Sequence, residues 1–193
     1  MVKVTIYIVN HNYENYIKQC IESVLNQTFQ SIEIIILDCG SSDKSKMILK
    51  KYENLENIKI IYKKNQPLAV TNNIAVTMAK GQYIMRLDAD DYLHENAIAI
   101  LSGILDRNKS LGLVFPDYFE VDTKGDILSL IRRHNFKEVT LKDQPAHGAC
   151  TLIRKSILEK IGGYDEEFTC QDGWDLWLKV TNFAEVFNSN LPL

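Results

Sequence analysis

Asp88, Asp90 and Asp91 place three carboxylates within four residues, with only Ala89 among them. Like charges this close repel, so the cluster costs stability unless something cationic sits beside it. Hard divalent cations want oxygen ligands. Mg2+ takes one or two carboxylates and completes its shell with water and substrate phosphates. A nucleotide diphosphate is the natural partner of such a site. Capping of the following helix accounts for one aspartate and leaves the other two unexplained. Two more polar clusters carry chemical groups: Asn10-His11-Asn12, and Asp38-Cys39-Gly40-Ser41-Ser42-Asp43.

These clusters stand at the ends of elements. Residues 4–9 read as a buried strand, and Ile17, Cys20, Ile21, Val24 and Leu25 follow the spacing of a core-facing helix. Residues 32–37 form a second apolar run. A helix over 45–52 follows, with Ser and Asp residues available as caps. Residues 58–62 read as a third strand and 69–79 as a helix closed by Gly81. Residues 83–87 are a fourth strand running into the acidic loop, and a helix over 95–106 completes the series. Strand–helix alternation with short links predicts a mostly parallel sheet with helices on both faces. Ligands of such sheets bind at the carboxyl ends of the strands, where all three polar clusters fall. The second half is less regular. It holds a short strand at 113–115, a polar and irregular stretch over 119–139 that reads as a hairpin or a flexible lobe, a strand at 150–153, a helix over 156–161 ended by Gly162-Gly163, and a last helix from Asp172.

Absent motifs narrow the chemistry. There is no G-x-G-x-x-G, no G-x-x-x-x-G-K-[ST] and no G-x-S-x-G. The 193 residues, 46% hydrophobic and 24% charged, are ordinary for a globular domain that buries its own core. A net charge of −3 argues against a nucleic-acid partner. Cys20, Cys39, Cys150 and Cys170 form no C-x-x-C pair. His147 and Cys150 are three apart, but read as a polar loop followed by a strand. No charged-then-apolar leader precedes the first strand. No uncharged apolar run nears the roughly 20 residues of a membrane span. A reducing cytoplasm is the expected compartment.

Several blocks together resemble the family 2 glycosyltransferases, which have the GT-A fold. They are Asn12-Tyr13-Glu14-Asn15-Tyr16, Ser23-Val24-Leu25-Asn26-Gln27-Thr28-Phe29 and Glu33-Ile34-Ile35-Ile36-Leu37-Asp38 with Gly40-Ser41-Ser42-Asp43. Ala79-Lys80-Gly81-Gln82-Tyr83-Ile84, Leu87-Asp88-Ala89-Asp90-Asp91, Ile161-Gly162-Gly163-Tyr164-Asp165-Glu166 and Asp175-Leu176-Trp177-Leu178-Lys179 continue the series. The resemblance spans nearly the whole chain, and the order of the blocks is more specific than any one of them. It implies a single GT-A domain with a Rossmann-like, mostly parallel sheet and a smaller acceptor-side lobe. Residues 1–110 would be the nucleotide-sugar half and 111–193 the acceptor half of a domain cut from a longer protein.

The resemblance also implies an activity: inverting, single-displacement transfer of a sugar from a nucleotide-diphospho-sugar to an acceptor hydroxyl, in bacterial surface polysaccharide synthesis. Val9, His11, Asn12, Asp38, Cys39, Asn73, Arg86, Asp88 and Ala89 would meet the donor. Asp90, with Asp88, would hold Mg2+ or Mn2+. Asp172 would be the base, with Asp175 as fallback, and Trp174 would face the acceptor, while Trp177 is core. The family often has Pro-x-Tyr-Asn where this chain has Val9-Asn10-His11-Asn12. A second aspartate that accepts from uracil is commonly found where Cys39 stands, and a thiol is a poor acceptor. UDP-sugars, the family's commonest donors, are the first expectation, and Cys39 weakens it, which leaves CDP-, dTDP- and GDP-sugars open. Two residues, Gly173 and Trp174, separate Asp172 from Asp175 where the family has one. The acceptor would be a saccharide or lipid-linked saccharide. A C-terminal region beyond residue 193 could associate with the membrane, placing the protein at its inner face. A nucleotidyltransferase would need a basic, Gly-rich first loop, which residues 10–16 lack. A degenerate, non-catalytic sugar-nucleotide module is the other alternative.

Overall fold

The computed structural model describes residues 2–133, 150–167 and 172–193, with the side chain of Asp172 outside that set. Four parallel strands form its frame: β1 (Val4–Asn10), β2 (Ile32–Cys39), β3 (Ile58–Lys63) and β4 (Tyr83–Asp88), in the order β3-β2-β1-β4. Val4 of β1 stands level with Ile32 on one side and Tyr83 on the other. The links between them carry α1 (Ile17–Leu25), α2 (Ser45–Leu49) with a 3-10 turn at Lys50–Tyr52, and α3 (Leu68–Met78); α4 (Ala97–Arg107) follows β4.

The strands are apolar on both faces because both are covered. Val4, Ile6 and Ile8 of β1 pack with Ile17, Ile21 and Val24 of α1 and Leu101 of α4. On the opposite face Tyr7, Ile35 and Leu37 pack with Ala75 of α3 and with residues of two later helices, α5 (Lys155–Lys160) and α6 (Asp172–Thr181). Trp177 of α6 is completely buried there, its ring centroid 4.7 Å from that of Phe115.

The second half departs from simple alternation. The strand expected at 113–115 is β5, an eleven-residue strand from Leu111 to Val121. Its outer part pairs with β6 (Ile127–Ile131) as a hairpin, one of the two forms expected of the polar stretch. The short β7 (Leu152–Arg154) slots between β4 and β5, antiparallel to both. A final strand, β8 (Glu185–Pro192), runs parallel to β5. Two antiparallel pairings in series leave β5 parallel to β4. The carboxyl ends of β1, β2, β4, β5 and β8 therefore share one edge of the sheet.

Gly81 is not the helix cap that its position suggested. Helix α3 ends at Met78 and Ala79 is already extended. Gly81 is needed because a Cβ there would lie 2.4 Å from the backbone nitrogen of Thr5. Gly162 and Gly163 do end α5 as expected, both with positive φ.

Candidate functional site at the carboxyl edge of the sheet

Asp88 is the last residue of β4, so its position is fixed by the sheet. Arg86, two residues earlier, points to the same face and grips it: Nε lies 3.0 Å from Oδ1, and one terminal guanidinium nitrogen lies 3.5 Å from Oδ2. Ala89 is buried, while Asp90 is exposed. The Asp91 backbone N–H donates to the Asp88 carbonyl at 3.0 Å, turning the chain back on itself. Burial, and then the charges of Asp88 and Asp90, push the Asp91 carboxyl up to about 7 against the pull of Arg86. The Asp90 charge is also the largest influence raising the Tyr13 hydroxyl. Among the described residues, Arg86 thus offsets the Asp88 and Asp91 carboxylates, while Asp88 and Asp90 still disfavour the charge on Asp91.

Among the described residues no three His, Cys, Asp or Glu side chains come together as a metal site. A closed protein cage is thus absent there, which still leaves room for a cation held by one or two carboxylates and completed by ligand oxygens and water. The donor set fits that role: hard oxygens, excess negative charge, and an exposed Asp90 beside the sheet-anchored Asp88.

The loops after β1 and β2 are laced together beside this cluster. Asp38 is fully buried and accepts from Asn10 Nδ2 at 2.7 Å, Ser41 Oγ at 2.5 Å and Ser41 N–H at 3.3 Å. Asn12, at φ 63°, accepts from Ser42 N–H at 2.8 Å, and its own N–H donates to Ser41 Oγ at 2.9 Å. Asparagine tolerates this left-handed backbone better than most residues. His11 Nδ1 lies 2.8 Å from the Cys39 carbonyl oxygen, so the Nδ1–H tautomer holds this exposed ring over β2. Cys39 is buried, with Sγ 3.7 Å from Thr71 Oγ1, and burial raises its thiol. Val9, His11, Asn12, Asp38 and Cys39 are thus brought together with Arg86, Asp88 and Ala89 at one edge.

Asn73, expected with them, is not. Its Oδ1 accepts from Tyr164 N–H at 2.8 Å, and its Nδ2 donates to the Tyr164 carbonyl and to Glu166 Oε1, both at 2.9 Å. Its amide is committed to clamping the turn after Gly163, where a Cβ would come within 2.6 Å of Asn73 Oδ1.

Trp174 is half-buried against the α3/α5/α6 core, and Trp177 is core as expected. Asp175 is paired with Lys179 one turn on, at 2.6 Å. The backbone of Asp172 opens α6, but its carboxylate, like His147 and Cys170, lies outside the described residues.

A cavity of about 340 Å3 opens beside the acidic loop. Asp90, Asp91 and Tyr92 form one wall, Tyr118 and Phe119 of β5 another, with Arg133 and Cys150 lining it as well. Arg133 escaped the sequence reading because it sits in a polar stretch with no motif and no periodicity. Only the pairing of β5 with β6 and β8 brings it to this edge.

A family model for glycosyl transferase family 2 matches residues 5–162, and the chain belongs to that family. A chondroitin synthase of Pasteurella multocida (strain Pm70) is 36% identical over 193 residues, covering 97% of this chain and 20% of that protein. The chain spans between about a fifth and a quarter of the length of such curated relatives. Among solved structures, S. aureus TarS in complex with UDP superimposes with a TM-score of 0.81 at 19% identity, over 98% of this chain and 59% of that one. A mannosyltransferase from Pyrobaculum calidifontis, in complex with GDP-Man and Mn2+, gives 0.74 at 15% identity, over 97% and 55%. These likenesses establish the GT-A fold.

Proposed function

We propose that this domain transfers a sugar from a nucleotide-diphospho-sugar to an acceptor hydroxyl with inversion. The observation that carries the reading is the crowding of carboxylates in the Asp88-Ala89-Asp90-Asp91 loop at the carboxyl edge, beside a cavity of substrate size. Residues 1–110 act as the donor half and 111–193 as the acceptor half. The laced loops of Asn10, His11, Asn12, Asp38 and Ser41 form the nucleoside platform, with Val9, Cys39 and Ala89 as backbone and small-side-chain walls. Arg86 holds Asp88 against the sheet, so that its carboxylate is aimed before the donor arrives. Asp90, with Asp88, would hold Mg2+ or Mn2+, which when bound supplies Lewis-acid stabilisation of the departing diphosphate. The acceptor oxygen bonds to the anomeric carbon as the bond from that carbon to the diphosphate oxygen breaks. The hydroxyl proton passes to Asp172 as general base. Asp175 is the fallback, at the cost of its Lys179 partner. Trp174 is the acceptor-side aromatic.

UDP-sugars are the leading donors, with CDP-, dTDP- and GDP-sugars open at Cys39. The TarS complex with UDP and the mannosyltransferase complex with GDP-Man and Mn2+ support donors of this class. The likeness to a chondroitin synthase supports a saccharide acceptor; we extend this to a lipid-linked saccharide in surface polysaccharide synthesis and to a site on the cytoplasmic side of the membrane. Among the described residues no helix is long and apolar enough to cross a membrane.

Calorimetric titration of the four nucleotide sugars with and without Mn2+ tests the reading. Mn2+-dependent binding of one donor, lost in Asp90→Ala, is expected. Undiminished binding by that variant would remove the metal role, and no binding of any donor would remove the function.

A further inference from the structure

The cavity beside the acidic loop has a neighbour. A second cavity, of about 390 Å3, shares Asp90, Tyr92 and Phe119 with it and forms a slot between the start of α1 and the β5–β6 hairpin. Tyr16 and Gln19 line the slot on the α1 side, Phe119 and Glu120 on the hairpin side. Both sides are anchored. Tyr16 stands edge-on to Tyr13, with ring centroids 6.5 Å apart. Phe119 is level with Leu130 in the β5–β6 ladder. The hairpin turn is closed by the Lys124 and Asp126 N–H groups, which donate to Asp122 Oδ1 at 2.8 and 3.0 Å. Tyr92 is 38% and Phe119 43% exposed, so two large rings are open to a ligand on a wall that the acidic loop and β5 hold in place.

The lining selects the class of ligand. Asp90, Glu120 and Asp122 face one cation among the described residues of the slot, Lys124. Ionised carboxylates only accept hydrogen bonds. An anionic ligand is repelled by this wall, and an alkyl chain brings no donors to it. A neutral saccharide meets both features, with hydroxyls that donate to the carboxylates and an apolar C–H face that lies against a ring.

Position links the slot to the donor. Asp90, the residue proposed to hold the metal, belongs to both cavities, so an occupant of the slot lies beside the diphosphate of the donor. Two cavities that meet at one acidic loop give two reactants a place each. Trp174 lines neither of them.

We propose that the slot between α1 and the β5–β6 hairpin is an acceptor subsite, and that Tyr92 and Phe119 are the rings on which a neutral saccharide stacks. Its role as acceptor rests on the glycosyltransferase reading; the binding of a saccharide by these two rings does not.

The test is calorimetric binding in the absence of donor. The probes are neutral tetrasaccharides of β-linked glucose, α-linked glucose and β-linked N-acetylglucosamine. Wild type should bind at least one of them. Phe119→Ala should weaken that binding about 5- to 10-fold, the size of one aromatic contact, and Tyr92→Ala should weaken it as well. Phe119→Leu keeps apolar bulk without a ring face and should lose most of the affinity, whereas Phe119→Tyr should keep it. Affinity for the bare nucleoside diphosphate should stay at the wild-type value in every Phe119 variant. Failure of wild type to bind any probe would overturn the proposal, whether or not the variants fold. So would wild-type saccharide affinity in a folded Phe119→Ala or Phe119→Leu, or an equal loss of nucleoside diphosphate affinity, which would assign Phe119 to the donor. Parallel nucleotide-sugar titrations of wild type keep the two readings apart. A chain that binds a saccharide through Phe119 but no nucleotide sugar fails only as a glycosyltransferase, and the converse result fails only the subsite.

Discussion

Asp38 and Asp90 are both aspartates at strand ends, yet their surroundings assign them opposite work. Asp38 is fully buried and takes three hydrogen bonds from Asn10 and Ser41. Asp38→Asn would keep an oxygen for Asn10 Nδ2 and Ser41 Oγ but turn an amide donor toward the Ser41 N–H, leaving buried groups mispaired at about 1–3 kcal/mol. We expect a lower unfolding midpoint in urea, together with weaker donor binding as the two loops loosen. Asp90 is exposed and crowded by like charges, so Asp90→Asn should leave metal-free stability unchanged or slightly raised. What it should lose is the thermal stabilisation that the proposed function predicts for wild type with Mn2+ plus donor, because a ligand stabilises only the state that binds it. A drop in metal-free melting temperature as large as that of Asp38→Asn would contradict this division. The three carboxylates were legible in the sequence as a site because their spacing alone makes them repel. The burial of Asp38 was not, since it depends on Asn10 and Ser41 from two different loops.

At the scale of elements, the four strand–helix repeats were legible because each strand is dominated by apolar residues and α1 and α4 each carry an apolar stripe. Strand β7 was harder, since three residues carry no periodicity and its antiparallel direction follows only from register with Tyr83 and Val114. Asn73 was misread for a related reason: its partners in the Tyr164 turn lie 91 residues away. Asn73→Ala should therefore cost about 1–3 kcal/mol of stability, read by thermal unfolding, while donor affinity stays at the wild-type value. Loss of donor affinity without loss of stability would return Asn73 to the site. A second tie joins β1 to α4, where Lys3 Nζ and the Tyr83 hydroxyl both donate to Asp106 Oδ1 at 2.7 Å. The Lys3 hydrogen bond is the largest influence holding the Asp106 carboxyl below its ordinary range. A lowered folded-state value means stability that is present above the unfolded value, near 3.8, and lost as pH falls through the folded one. The pair is partly exposed, so Asp106→Asn should cost under about 1 kcal/mol at pH 7. The gap to wild type should narrow progressively as pH falls below about 4. A gap that stays constant as pH falls through that range would assign the effect to packing instead.

The whole molecule is one sheet with a core on each face, and the site hangs on the edge that both cores fix. Ile21 belongs to the core of α1 and α4, whereas the two tryptophans lie on α6 across the sheet. If the sheet couples the two cores, damage on one face must be felt on the other. Ile21→Ala removes a fully buried side chain and should cost about 2–5 kcal/mol. At roughly 2–4 °C per kcal/mol for a domain of this size, the melting temperature should fall by at least about 4 °C. Tryptophan fluorescence, which reports only the far face, should shift by the same amount as the far-ultraviolet circular dichroism of all the helices. Separate transitions would mean that the cores melt independently, and that the cavity between the acidic loop and β5 can open without global unfolding. A single shared transition would mean that the carboxyl edge is held as one rigid frame. Asp88, held by β4, and Tyr118, on β5, would then keep a fixed separation across the carboxyl edge, which is what the proposed transfer requires.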